Sequence, residues 1–110
     1  MVWQQKCWDI LYRLYYDVES SAFLDPITEK TMGAECYEDY VNTIARPLSF
    51  LEIKRFMIQR AYPSEVNFIN DMNLVFDNCM QFNQRNSGFY KSAAKMKKKF
   101  KNLLREYKLI

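Results

Sequence analysis

Apolar residues return at steps of three and four along four stretches of this chain. Trp3, Cys7, Ile10, Leu11, Leu14, Tyr15 and Val18 form the first stripe, which predicts an amphipathic helix over about residues 3–18. A second helix is predicted over about 49–61. It opens on Ser49 with Glu52 three positions on, a capping box in which each side chain takes up a backbone N–H that the first turn leaves unpaired. Leu51, Ile53, Phe56 and Met57 supply its face, and it ends just before Pro63. The third helix, about 64–83, has Ser64 as its N-cap and Glu65 beside its positive end. Its stripe runs Ile69, Met72, Phe76, Cys79, and the next step of four lands on Asn83. After turn residues 84–88, a fourth helix is predicted over about 89–107, with Tyr90, Ala93, Ala94, Phe100, Leu103, Leu104 and Tyr107 inward and lysines outward.

Four helices with one buried face each specify an all-α bundle, read as a single domain over residues 1–110. Between the first two helices lies the exception, about 19–48, which holds no sustained period and at most one short helical turn near 37–42. Structureless loops of this length are uncommon in compact domains and are usually functional or disordered. Disorder fits poorly here, because Phe23, Leu24, Ile27, Met32, Tyr37, Tyr40 and Val41 need an apolar surface to rest on. An ordered loop lying across one end of the bundle is expected.

Composition narrows the chemistry. The 110 residues include no histidine, which removes the commonest general base and the commonest zinc ligand, so no catalytic residue is assigned. Cys7, Cys36 and Cys79 lie far apart without a C-x-x-C spacing, so no metal site is read and a reducing compartment is expected. With only Gly33 and Gly88, the chain lacks a Gly-rich phosphate loop and a dinucleotide-binding turn, and no cofactor is expected. No run approaches the ~20 apolar residues of a membrane span, and no targeting segment is evident.

At this point the residues carry a resemblance. A helix followed by Ser21-Ala22-Phe23-Leu24-Asp25-Pro26-Ile27, then Tyr37-Glu38-Asp39-Tyr40, Ala45-Arg46-Pro47-Leu48 and Phe76-Asp77-Asn78-Cys79-Met80-Gln81-Phe82-Asn83 closely resembles a bromodomain. The match covers nearly the whole chain, in order, and the segment ending in Asn83 is its most specific part. The resemblance implies a left-handed four-helix bundle whose interhelical loops enclose a pocket for acetylated lysine. It implies that Asn83 donates to the acetyl carbonyl and that Tyr40 reaches that carbonyl through an ordered water. By the same resemblance Phe23 belongs to the shelf, Ile27 to the aliphatic wall, Cys79 and Phe82 to the wall of the third helix, and Phe89 to the gate, while Tyr37 lines the rim.

Each of these residues has an ordinary structural use as well. Asn83 at a helix end is a common C-terminal cap, Tyr40 and Phe23 are typical core aromatics, Cys79 is a small hydrophobe, and Phe89 can pack at a helix start. Three departures from the common family pattern stand out. Ser21-Ala22 replaces Trp-Pro and opens the groove, Phe89 is bulkier than an aliphatic gate, and Leu48-Ser49 replaces Met-Asp.

Charge divides the chain. Residues 1–49 carry four basic and eight acidic residues, net −4, and residues 50–110 carry twelve and five, net +7. In and beside the loop, Glu19, Asp25, Glu29, Glu35, Glu38 and Asp39 outnumber Lys30, giving a negative rim that attracts a lysine-rich partner such as an acetylated histone tail. The basic run on the last helix is a solvated face or a weak, sequence-independent contact with DNA phosphates through Lys95, Lys97, Lys98, Lys99 and Lys101. The expected function is that of a nuclear, non-catalytic reader of acetyl-lysine. A basic DNA-binding or protein-interaction bundle is the alternative.

Overall fold

A computed structural model describes residues 2–110; Met1, part of the expected domain, lies outside them. Its elements are α1 (Trp3–Tyr15), a 3-10 segment (Val18–Phe23), α2 (Glu29–Met32), α3 (Ala34–Thr43), α4 (Phe50–Ile58), α5 (Glu65–Phe82) and α6 (Gly88–Glu106). No strand occurs among the described residues. The four longer apolar stripes become α1, α4, α5 and α6, which pack around Cys7, Ile10, Leu14, Phe50, Ile53, Phe68, Met72, Phe76, Ala93 and Phe100, each 0% exposed. Rings dominate this core: Phe76 meets Phe50 edge-on at 5.8 Å and Phe100 at 6.2 Å between centroids. Cys7 is a core hydrophobe with a neutral thiol, its pKa pushed up to about 12 by burial and by nearby Glu65.

Local chemistry sets the helix ends. α1 stops at Tyr15, short of the expected 18, because the Asp17 side chain accepts from Glu19 N at 2.8 Å and the Ser20 hydroxyl donates to Tyr15 O at 2.9 Å, starting the 3-10 segment. Val18, placed on the inward stripe by its spacing, is consequently 92% exposed. The Ser49–Glu52 capping box forms with both reciprocal bonds, and α4 ends where Arg60 takes the left-handed conformation, φ 53°. At α6 the cap is Ser87, which accepts from Tyr90 N at 3.1 Å; Ala94 is exposed and Met96 fills the inward position.

The segment over 19–48 departs most from expectation, since it contains three helical pieces instead of one short turn. α2 opens on a capping box made by Thr28 and Thr31. Gly33, φ 92°, then serves as both the end of α2 and the start of α3. A Cβ there would meet nothing within 4 Å, so the demand for glycine is one of backbone conformation and not of space. The return toward α4 is pinned to α5. Asn78 Nδ2 donates to Arg46 O at 2.8 Å, and the Arg46 guanidinium grips Asp71 with bonds of 2.7 and 3.3 Å. Tyr62 OH donates to the same carboxylate at 2.6 Å.

Candidate functional site

The site is built on the last turn of α5. Asn83 is its C-cap, with extended backbone (φ −96°, ψ 151°), and its Nδ2 donates to Cys79 O at 2.9 Å. The capping use of this residue is therefore realised. A carboxamide, however, has two N–H donors and an acceptor oxygen. The second N–H has only a long approach to Cys79 Sγ, 3.5 Å, a weak acceptor that any carbonyl would displace. The Cys79 thiol, its pKa raised chiefly by burial, stays protonated and donates to Phe89 O at 3.3 Å, tying the first turn of α6 to the last turn of α5.

Tyr40 faces this turn from α3. It is 4% exposed, and its ring stands edge-on to Phe82 with centroids 5.0 Å apart. Burial, with the neighbouring Cys79 and Glu52, raises its pKa, so the phenol keeps its proton. No described residue accepts or donates at its hydroxyl, and among the described residues no side-chain oxygen or nitrogen is sealed away without a partner; the hydroxyl therefore has access to open space. Phe23 closes the floor, edge-on to Phe76 at 5.6 Å. The backbone beside it is fixed by Leu51 N donating to Leu24 O at 3.0 Å.

Together these groups border a cavity of about 500 Å³. Seven of the eight residues expected at the site line it: Asn83, Tyr40, Phe23, Ile27, Cys79, Phe82 and Phe89. Tyr37 does not. On a helix the residue stacked above Tyr40 on the same face is four positions back, and Cys36 takes that place on the wall. Phe89 is 58% exposed and stands at the mouth. Residues the sequence reading did not assign also line the cavity: Thr31, Met32 and Cys36 from α2 and α3, Val75 one turn before Cys79, Asp25 and Leu48, with Ala22 at the opened shelf. Val75 was findable as the residue four before Cys79, whereas α2 is too short to show a period.

The wall is apolar apart from a spare amide donor, a phenol hydroxyl, a few small polar groups and one exposed carboxylate, that of Asp25. Such a space suits a neutral ligand with an aliphatic body and a carbonyl at its tip. A second cavity, about 580 Å³, lies at the other end of the bundle between the start of α1 and the α4–α5 turn, but Arg60 lines it and neither Asn83 nor Tyr40 is near.

A bromodomain family model matches residues 7–95. The chain belongs to the bromodomain family. A solved structure, that of the bromodomain from human BAZ1A, superposes with a TM-score of 0.86 at 22% identity, covering 96% of this chain and 94% of that one, which establishes the shared fold. Among curated proteins, the chain is similar to Tyrosine-protein kinase BAZ1B of Danio rerio, 29% identical over 102 residues. It is also similar to Transcription initiation factor TFIID subunit 1 of Caenorhabditis elegans, 33% identical over 79 residues. These matches cover 93% and 72% of this chain but 6% and 4% of those proteins.

In this bromodomain the basic run of α6 is partly neutralised. Lys95 pairs with Glu19 at 3.1 Å, Lys97 with Asp77 at 2.6 Å, and Lys99 with Asp17, while Lys98 and Lys101 form no ion pair with a described residue. These pairs join the 3-10 segment to α6 and reduce the charge offered to a polyanion. No helix among the described residues is long and apolar enough to cross a membrane.

Proposed function

We propose that this bromodomain binds acetylated lysine on histone tails or other chromatin proteins, without turnover, in the cavity between α3 and α5. One observation carries the reading: Asn83 with a spare amide N–H and Tyr40 with an unpartnered hydroxyl border the same largely apolar cavity. Acetylation turns a hydrated cation into a neutral amide, so a reader needs an apolar sleeve for the methylenes and a donor for the carbonyl. In this reading Asn83 donates to the acetyl oxygen, and Tyr40 reaches it through an ordered water. Phe23, Ile27, Cys79 and Phe82 form the sleeve and Phe89 stands at the gate, while Tyr37 lies outside the lining.

An unmodified ammonium carried down the sleeve would lose its hydration at a cost of several kcal/mol without a matched partner at the bottom. The acetyl-lysine head has roughly eight non-hydrogen atoms, so an affinity of order micromolar to millimolar is expected. The relatives' names, which include a transcription initiation factor and a nucleosome-remodeling factor subunit, support a nuclear, chromatin-directed role. The word kinase in one relative's name applies to a protein of which this chain matches 6%, and is not carried over. DNA contact through Lys98 and Lys101 is at most an accessory to tail binding.

Calorimetric titration of acetylated and unmodified histone-tail peptides tests the reading. Binding of acetylated peptides with little or none of their unmodified counterparts is expected; indifference to acetylation across such a panel would overturn it.

A further inference from the structure

The six acidic residues assigned by sequence to the loop divide in the structure. Glu19 turns onto α6, where Ser92 Oγ donates to it at 2.8 Å and Lys95 Nζ at 3.1 Å. Glu29, Glu35, Glu38 and Asp39 are exposed on α2 and α3 and take no part in the cavity wall. Asp25 alone of the six lines the cavity, where it is the one charged side chain among the described lining residues. It pairs with none of the described cations.

Its position is nevertheless constrained on both sides. The preceding carbonyl, Leu24 O, accepts from Leu51 N at 3.0 Å. The following residue is Pro26, whose ring disfavours helical backbone at Asp25 and so narrows its conformations. Ile27, next along, is half-buried on the same wall. A free carboxylate held beside an otherwise uncharged pocket is a fixed charge awaiting a cation, unlike the acids on α2 and α3.

We infer that Asp25 is a specificity-determining residue of this pocket, selecting an acetyl-lysine that has an unmodified lysine or arginine one or two positions away in the same peptide. The inference rests on the acetyl-lysine reading of the cavity. In an extended peptide successive residues advance at most about 3.6 Å, so such a neighbour has its Cα within about 7 Å of the inserted residue. A Lys or Arg side chain spans that distance back to a carboxylate on the wall. Asn83 then reads the neutral acetyl group while Asp25 reads the charge beside it. An exposed pair of this kind changes affinity by about two- to fivefold, and salt screens it.

The test uses two acetylated peptides, one with lysine next to the acetyl-lysine and one with glutamine there, titrated against the wild type and Asp25→Asn at low and physiological salt. For the wild type, the lysine-flanked peptide is expected to bind about two- to fivefold tighter, with the ratio shrinking as salt rises. In Asp25→Asn the ratio should fall to near one. Equal binding of the two peptides by the wild type, or a ratio that survives Asp25→Asn in a protein of unchanged thermal midpoint, overturns the assignment. Failure of the wild type to bind either peptide overturns the acetyl-lysine reading itself, and this inference with it.

Discussion

Two polar and aromatic clusters sit on α5, about 18 Å apart along the helix, and they use similar residue types to opposite ends. Around Asp71 the cluster is closed: the residue is 7% exposed and its carboxylate receives both Arg46 and Tyr62, while Phe68 packs edge-on to Tyr62 at 6.2 Å. Around Asn83 it is open. Tyr40 and Phe82 pair their rings, yet at the cavity the Tyr40 hydroxyl has no partner among the described residues and the second Asn83 N–H has only the long approach to Cys79 Sγ. Buried polar groups are ordinarily satisfied. The closed cluster follows that rule and fastens the 44–48 return to the bundle. The open cluster leaves hydrogen-bonding capacity for a guest, and the firm attachment of its surroundings keeps that capacity aimed.

Phe76 lies between the two clusters, in ring contact with Phe23 of the cavity wall, with Phe50, and with Phe100, which in turn packs on Phe68. Phe76→Ala should therefore have the largest effect, a loss of about 3–5 kcal/mol of stability in urea unfolding. Asp71→Ala breaks the closed cluster alone. It strands Tyr62 OH and releases Arg46, and should lower stability by about 1–3 kcal/mol. Because Arg46 lies two residues before Leu48 on the cavity wall, a smaller loss of peptide affinity should accompany it. Asn83→Ala is expected to reverse that order, weakening acetylated-peptide binding by about tenfold to a hundredfold while costing about 1 kcal/mol of stability for the lost Cys79 bond. If Asn83→Ala unfolds the protein as readily as Asp71→Ala, the contrast between the clusters is wrong.

The smallest expected effect concerns the clamp between the 3-10 segment and α6. The bond from Lys99, with the Glu19 backbone N–H, holds the Asp17 carboxyl below its usual range. Its folded pKa is thus lower than its unfolded value of about 3.9, so its contribution is present above that value and is lost as pH falls through the lowered one. Asp17→Asn should flatten the acid limb of the stability profile below about pH 4, by under about 1 kcal/mol. An acid limb identical to that of the wild type would show that the clamp contributes nothing.

What the sequence made legible follows from the range of the forces. The four long stripes and the Ser49–Glu52 box are local, and each appears as a helix or a cap. Asn83 was reachable because it continues the Met72, Phe76, Cys79 row into the cavity. α2, and all of α3 but a short turn near 37–42, were missed: α2 has four residues and α3 buries only Tyr40, so neither shows a helical period, and Thr31 stands where a capping box usually has Glu or Gln. Cys36, Met32 and Thr31 were missed with them. Asp71 and Asn78 look like ordinary polar positions because their shared partner, Arg46, lies 25 and 32 residues away.

The central claim is that the open cluster, and not another part of the bundle, receives the acetyl group. The most direct measurement is NMR chemical-shift mapping with the isolated head, N-acetyl-lysine blocked at both ends. Saturable shifts of the Asn83 side-chain amide and of the backbone amides of Tyr40, Phe23 and Val75 are expected, with Trp3, Trp8 and Tyr62 at the second cavity unmoved. Shifts centred on that second cavity, or none at millimolar ligand, would contradict it.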